Sequence, residues 1–228
     1  MYQVTEGYRI VAVMPQREAA LSRNVSVGVT TVMQIIVFAA LFISVISFAQ
    51  NNSEHLTFKG VPIDGTLSEY VAKMKSAGFS HIGTEDGVAL LSGEFAGYRE
   101  CMIGVKTLKK YNTVHEIAVL FPTQNTWRGL SYDYTKLKSM LSKKYGEPEE
   151  CVEKFVNTPS YVNINDDNYK MREVEDNHCK YYSIFTVENG TISLSIEYDG
   201  VLVGSRVKLW YSDKINSEAF EEAAMDDL

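Results

Sequence analysis

Apolar residues follow three different patterns along this chain. Before Val32 they show no clear period. From Val32 to Ala49, VMQIIVFAALFISVISFA, ~18 residues pass without a charge. After Gln50 the spacing alternates between the 3.6-residue period of a helix and the two-residue period of a strand.

The first helical stretch is expected over Thr66–Ala77. Thr66 and Glu69 fit the Ser/Thr-x-x-Glu capping box. Leu67, Tyr70, Val71 and Met74 form one apolar stripe, and Gly78 stops it. A second helix is expected from about Leu130 to Tyr145, with Leu130, Tyr134, Leu137, Leu141 and Tyr145 as its stripe. Gly146 and Pro148 end it.

Strands follow each helix. After the first they are expected near 79–83, 88–98, 101–108 and 114–121. After the second they are expected near 151–156, 180–187, 191–198 and 206–211. Asn189-Gly190 suits a type I′ hairpin, which would pair Val187 with Ile192 and Phe185 with Leu194. One face then carries Tyr181, Phe185, Val187, Ile192, Leu194, Ile196 and Tyr198, and it must cover the core. The other carries Tyr182, Ile184, Thr186, Thr191, Ser193, Ser195 and Glu197, half-solvated as an antiparallel sheet allows. Residues 157–179, rich in Asn, Asp and Glu, read as a long polar loop, either functional or mobile.

The fold class that emerges is α+β: two helix-plus-antiparallel-meander units packed around one core. The units divide at 50–128 and 129–216, with an acidic tail over 217–228. Residues 1–31 are a leader, or sequence upstream of a true start at Met33.

The apolar run bears on location. Ser47 and Ala49 are small residues where a signal peptidase would accept them, so cleavage after Ala49 is expected. A retained membrane anchor and a buried helix are the alternatives. Export to a periplasmic or extracellular space follows from the first reading, and a membrane association only from the second.

Charge narrows the partners. The chain holds 22 Lys and Arg against 29 Asp and Glu, net −7. An acidic body with no basic stripe argues against nucleic acid. Cys101, Cys151 and Cys179 lie after the apolar run. In an oxidising compartment one disulfide is expected among them, with Cys151–Cys179 the first candidate because it would clip the base of the polar loop; three small buried thiols are the alternative.

Familiar chemistry is missing. There is no HExxH, GxSxG or Walker loop, and His55, His81, His115 and His178 fall on different expected elements. The acidic run Asn163–Asn168 with Glu173, Glu175 and Asp176 lacks the EF-hand glycine and terminal Glu, so a solvated loop is preferred to a calcium site. No catalytic residue, metal or cofactor is assigned.

Several phrases carry a resemblance. They are Gly60-Val61-Pro62-Ile63-Asp64-Gly65-Thr66 before a helix ending in Gly78-Phe79; Trp127; Leu137-Lys138 with Lys144-Tyr145-Gly146-x-Pro148; and Val207-x-Leu209-x-Tyr211-x-Asp213. Together they resemble small, uncharacterised exported bacterial proteins. The doubled helix-plus-meander plan is similar to the fold of β-lactamase inhibitory proteins. The resemblance spans about residues 55–215 and its motifs are turns, caps and core positions; no inhibitory or catalytic residue maps onto the chain.

Aromatic residues suggest the working surface. Trp210 points away from the core face set by Leu209 and Tyr211, and Tyr182 away from that of Tyr181. Trp210, Tyr182, Ile184, Thr186 and Ser193 can therefore share the open sheet face, a patch suited to a protein or peptide partner, or to a carbohydrate. Simple packing under a second layer is the bland alternative. The expected function is an exported non-catalytic binding module that uses the open sheet face and the acidic loop to engage a protein or peptide. A hydrolase with an unfamiliar carboxylate site, or an envelope structural or assembly protein, are the alternatives.

Overall fold

A computed structural model describes residues 54–108, 112–156, 163 and 165–225. They belong to one compact unit, Ser53–Leu228. The leader, the apolar run Val32–Ala49 and the proposed cleavage point lie outside the described residues.

Helix α1 spans Leu67–Ser76, and both halves of its capping box form: Glu69 N–H donates to Thr66 Oγ1, and Thr66 N–H to Glu69 Oε2. Leu67, Tyr70 and Met74 are buried. Helix α2 spans Trp127–Tyr145, one turn longer at its start than expected. Thr126 is its cap, accepting from Gly129 N–H at 3.2 Å.

Among the described residues, ten strands complete the framework. Thr57–Phe58 (β1) and Val61–Pro62 (β2) form a small ribbon. The first large group is Ser80–Glu85 (β3), Val88–Phe95 (β4), Tyr98–Leu108 (β5) and Thr113–Leu120 (β6). The second is Glu150–Phe155 (β7), Cys179–Val187 (β8), Gly190–Asp199 (β9) and Gly204–Asp213 (β10). All eight form one antiparallel sheet in the order β3-β4-β5-β6-β10-β9-β8-β7. The architecture is α+β, as expected. Each helix-then-strands stretch fills one half of the sheet, and the halves meet where β6 pairs with β10.

Register explains the core. Leu91, Ile103, Val119, Leu209, Leu194, Ser183 and Cys151 form one continuous row across paired strands. Ala89, Val105, Ile117, Tyr211, Ile192 and Phe185 form the next. All but Cys151 are buried. Nearly all of the apolar members join the buried faces of α1 and α2 in one core. Asp133 in α2 ties the halves together, accepting from Tyr98 at 2.9 Å and from Gln124 at 2.7 Å.

Four expectations change. The 188–191 hairpin turns on Glu188-Asn189 instead of Asn189-Gly190, because Val187 pairs with Gly190. Neither turn residue has a positive φ, so the turn is not type I′. Gly190 is spent on closeness: a Cβ there would lie 2.1 Å from the Ser212 carbonyl oxygen. The resulting slip is two residues, which matches the side-chain period, so the core and open faces keep their residues.

The polar loop contains a helix, α3, Asp167–Glu175. Its sequence signal is weak, and tertiary bonds hold it. Asp167 accepts the Trp127 and Arg128 N–H groups at 3.1 and 3.2 Å, which would otherwise be orphans at the start of α2.

The acidic tail is also helical in part. Lys214–Met225 forms α4. Asn216 anchors it by donating to the Ile63 and Val114 carbonyls, both at 3.0 Å, while Phe220 stacks on His115.

The Cys151–Cys179 pairing fails on register. Cys151 pairs with Ser183 and Cys179 with Phe155, four residues apart along the same ladder. That is roughly 13 Å of strand, beyond the ~7 Å over which a disulfide reaches. All three cysteines are free thiols.

Candidate binding cleft on the sheet

Antiparallel register assembles the site. Trp210 pairs with Ser193 on one side and Ala118 on the other, and Ser193 pairs with Ile184. Tyr182 and Ser195 pair in the adjoining row, next to Lys208. Small neighbours on both sides leave the Trp210 indole half-exposed above the sheet.

These residues line a cavity of about 590 Å³, which four of the five expected surface residues share: Trp210, Tyr182, Ile184 and Ser193. Thr186 does not. It lies nearer the hairpin end of β8, exposed, and donates to the Glu149 carboxylate. The reason is register: Thr186 pairs with Thr191, and so sits one row beyond Ile184 and Ser193.

The cavity extends past the expected patch because β8 and β9 separate. Their pairing runs from Val187–Gly190 to Tyr182–Ser195 and ends there. Both strands continue. Cys179–Tyr181 remain paired to β7, and Ile196–Asp199 remain paired to β10. Lys180 and Tyr181 form one lip of the resulting cleft, Glu197 and Tyr198 the other, and Val174 and Asn177 from the end of α3 close it. Tyr198, expected in the core, is 39% exposed as a consequence.

Local electrostatics hold the rim in place. The Tyr182 hydroxyl donates to Glu150 Oε1 at 2.5 Å, and that bond keeps the phenol above its usual pKa. Glu197 accepts from Ser195 at 2.7 Å and pairs with Lys208 at 3.2 Å. Lys208 also reaches Asp199 at 3.2 Å. Burial opposes charge on Asp199, but the Leu202 N–H and Lys208 outweigh it and leave its carboxyl below the usual range. Burial raises the Cys179 thiol to about 12, so it is a poor nucleophile.

Two other clusters have alternative explanations. Glu173, Asp176 and His178 bring ligand atoms within 4.8 Å of one another, but Glu173 and His178 already pair at 3.3 Å where α3 ends. Buried Asp213 accepts from the Leu56 and Asn216 N–H groups at 2.7 and 2.9 Å and contacts His55 Nδ1 at 3.0 Å. This joins the start of the described chain to α4, a structural clasp.

Lys180 and Tyr198 were not foreseen as part of the site, whereas Ser195 and Glu197 were expected on the same open face and the α3 residues belong to the polar loop expected to assist it. The alternation of β8 and β9 implies full pairing, so nothing in it marks the split. No protein-family model matches this chain, and no curated protein or solved structure is detectably similar to it. Among the described residues, no helix is long and apolar enough to cross a membrane.

Proposed function

We propose that the chain is an exported, non-catalytic binding module that engages a protein or peptide through the open face of its sheet. The observation behind this reading is the gathering of half-exposed Trp210, Tyr182, Ile184 and Ser193 around one cavity of about 590 Å³. That volume lies within the usual range for ligand sites, ~300–1,000 Å³. Aromatic residues with a polar rim are the usual anchors of such contacts. Glu197 is committed to Ser195 and Lys208, an arrangement that suits a fixed rim better than the free acid–base pair a hydrolase requires. Similarity to the fold of β-lactamase inhibitory proteins is read from the doubled helix-plus-meander plan alone, and belongs to the same proposal.

The test is selection of displayed random dodecapeptides on the full chain. Selected peptides are then measured against Trp210→Ala with Tyr182→Ala. The expected loss is at least about tenfold in affinity, as for interface anchor residues. Unchanged affinity would remove this surface from consideration. N-terminal sequencing of the mature protein tests export, with Gln50 the expected first residue.

A further inference from the structure

The two outermost strands of the large sheet are finished differently. β3 carries a bulge between His81 and Gly83, which interrupts its outer edge and leaves Ile82 exposed. β7 pairs with β8 along its whole length without a shift, and no described strand pairs with its other side. Glu150, Cys151, Glu153 and Lys154 are exposed along it. Successive residues of an antiparallel strand turn their N–H and C=O groups to opposite neighbours. Val156 N–H donates to the His178 carbonyl at 2.9 Å, which sets the even residues toward β8. The backbone groups of Cys151, Glu153 and Phe155 are therefore turned to the free edge.

Charge along this edge is self-complementary. Glu150, Val152 and Lys154 share the open face, opposite Ile184, Tyr182 and Lys180. Lys154 thus stands directly against Lys180, a like-charge pair that an arriving carboxylate would relieve. When two copies of β7 meet antiparallel about a two-fold axis, outward-turned residues must oppose outward-turned ones. The axis then falls on a residue. Placed on Glu150, Glu153 or Lys154, it sets that charge against its own copy. Placed on Cys151, it sets Glu149 against Glu153. Placed on Val152, it sets Glu150 against Lys154 on one face and Cys151 against Glu153 on the other. Lys138 in α2 lies 3.8 Å from Cys151 Sγ and pairs with Glu153 of its own chain, so the Glu153 of a second copy arrives beside it as well. Opposite charges meet on both faces in this register alone. We propose that β7 pairs with β7 of a second copy of the chain, centred on Val152, and joins two sheets into one. The inference stands apart from the binding reading above. Even residues meet even ones, so both open faces lie on the same side of the joined sheet. The contact has about four main-chain bonds and is short for a standard interface of ~1,600 Å². The dimer is therefore weak, with a dissociation constant on the order of 10 μM.

Sedimentation velocity of the full chain, from about 1 to about 200 μM, is the first test and should show a monomer–dimer equilibrium. Glu150→Lys and Lys154→Glu should each weaken the dimer at least about tenfold. The two together should restore it to within about threefold of the parent, because the charges again oppose; losses that simply add would overturn the proposal. Cysteine crosslinking reads the register directly. Residues opposed at the centre of this pairing have Cα atoms ~4.5 Å apart, within disulfide reach. Val152→Cys, in a Cys151→Ser background, should therefore form a disulfide dimer when oxidised with diamide. The unaltered chain should not, because each Cys151 is diagonal to its copy. Crosslinking also covers the case of a charge reversal that fails to fold. A monomer throughout the concentration range would overturn the proposal. So would self-association that survives both single charge reversals, because another surface then carries it. A Cys151–Cys151 crosslink in place of the Val152→Cys one would do the same, because the register is then different.

Discussion

The two ends of β9 are finished in opposite ways. At Gly190 the strand is tied in on several sides. The strand backbone presses against Ser212, the Asn189 carbonyl accepts from Lys214 N–H at 3.0 Å, and Asp213 is fully buried among its donors. At Tyr198 the partner strand departs and leaves main-chain groups facing a cavity. The closed end joins the first described residues to α4, so a substitution there is expected to cost more stability than one at the open end. The open end is bordered on both sides by intact ladders, so the gap does not unravel the sheet. Binding surfaces are drawn from regions whose loss the rest of the fold can tolerate.

Substitutions can separate the two ends. Asp213→Ala should have the largest effect. It leaves the buried Leu56 and Asn216 N–H groups unsatisfied, at about 3 kcal/mol in total, or roughly 10 °C in melting temperature for a domain of this size. A melting temperature within a degree or two of the parent would show that the clasp is not where stability resides. Gly190→Ala comes next. Its Cβ would meet the Ser212 carbonyl oxygen, and strain of about 2 kcal/mol is expected in chemical denaturation. A smaller, pH-dependent effect is expected at His115, which is buried beneath Phe220. Burial lowers its pKa from the ordinary 6.5. Folding is thus favoured fully above pH 6.5, and that contribution is lost as pH falls through the lower folded value. His115→Phe should flatten the acid side of the stability profile. An unchanged profile would assign the acid sensitivity to other groups. At the open end, Tyr198→Pro should shift the melting temperature less than any change at Asp213.

Much of the framework can be read along the chain. Both helix stripes, the Thr66–Glu69 cap, the Gly78 stop and the alternation in β8 and β9 depend on neighbours within a few residues. Local chemistry therefore decides them. The hairpin at 188–191 illustrates the limit of this. Its dipeptide favours one turn, but Gly190 is needed beside Ser212, a contact more than twenty residues away in sequence. Helix α3 is a second case, because Asp167 gains its purpose only when the start of α2 arrives beside it.

The candidate site divides in the same way. Trp210, Tyr182, Ile184 and Ser193 share a face by parity alone, since side chains alternate along any strand. Thr186 shares that parity, yet it lies outside the cavity, because parity gives the face and not the position along it. The alternation of Cys151 and Cys179 could not reveal that they stand four residues apart in register.

Sequence by itself determined the α+β class, the acidic balance and which residues face the core, because periodicity and composition are local properties. Only the tertiary structure decided the order of the eight strands, the clasp at Asp213 and the parting of β8 from β9. Each of these depends on which distant segments compete for the same backbone hydrogen bonds. That competition is resolved only once the whole sheet has formed.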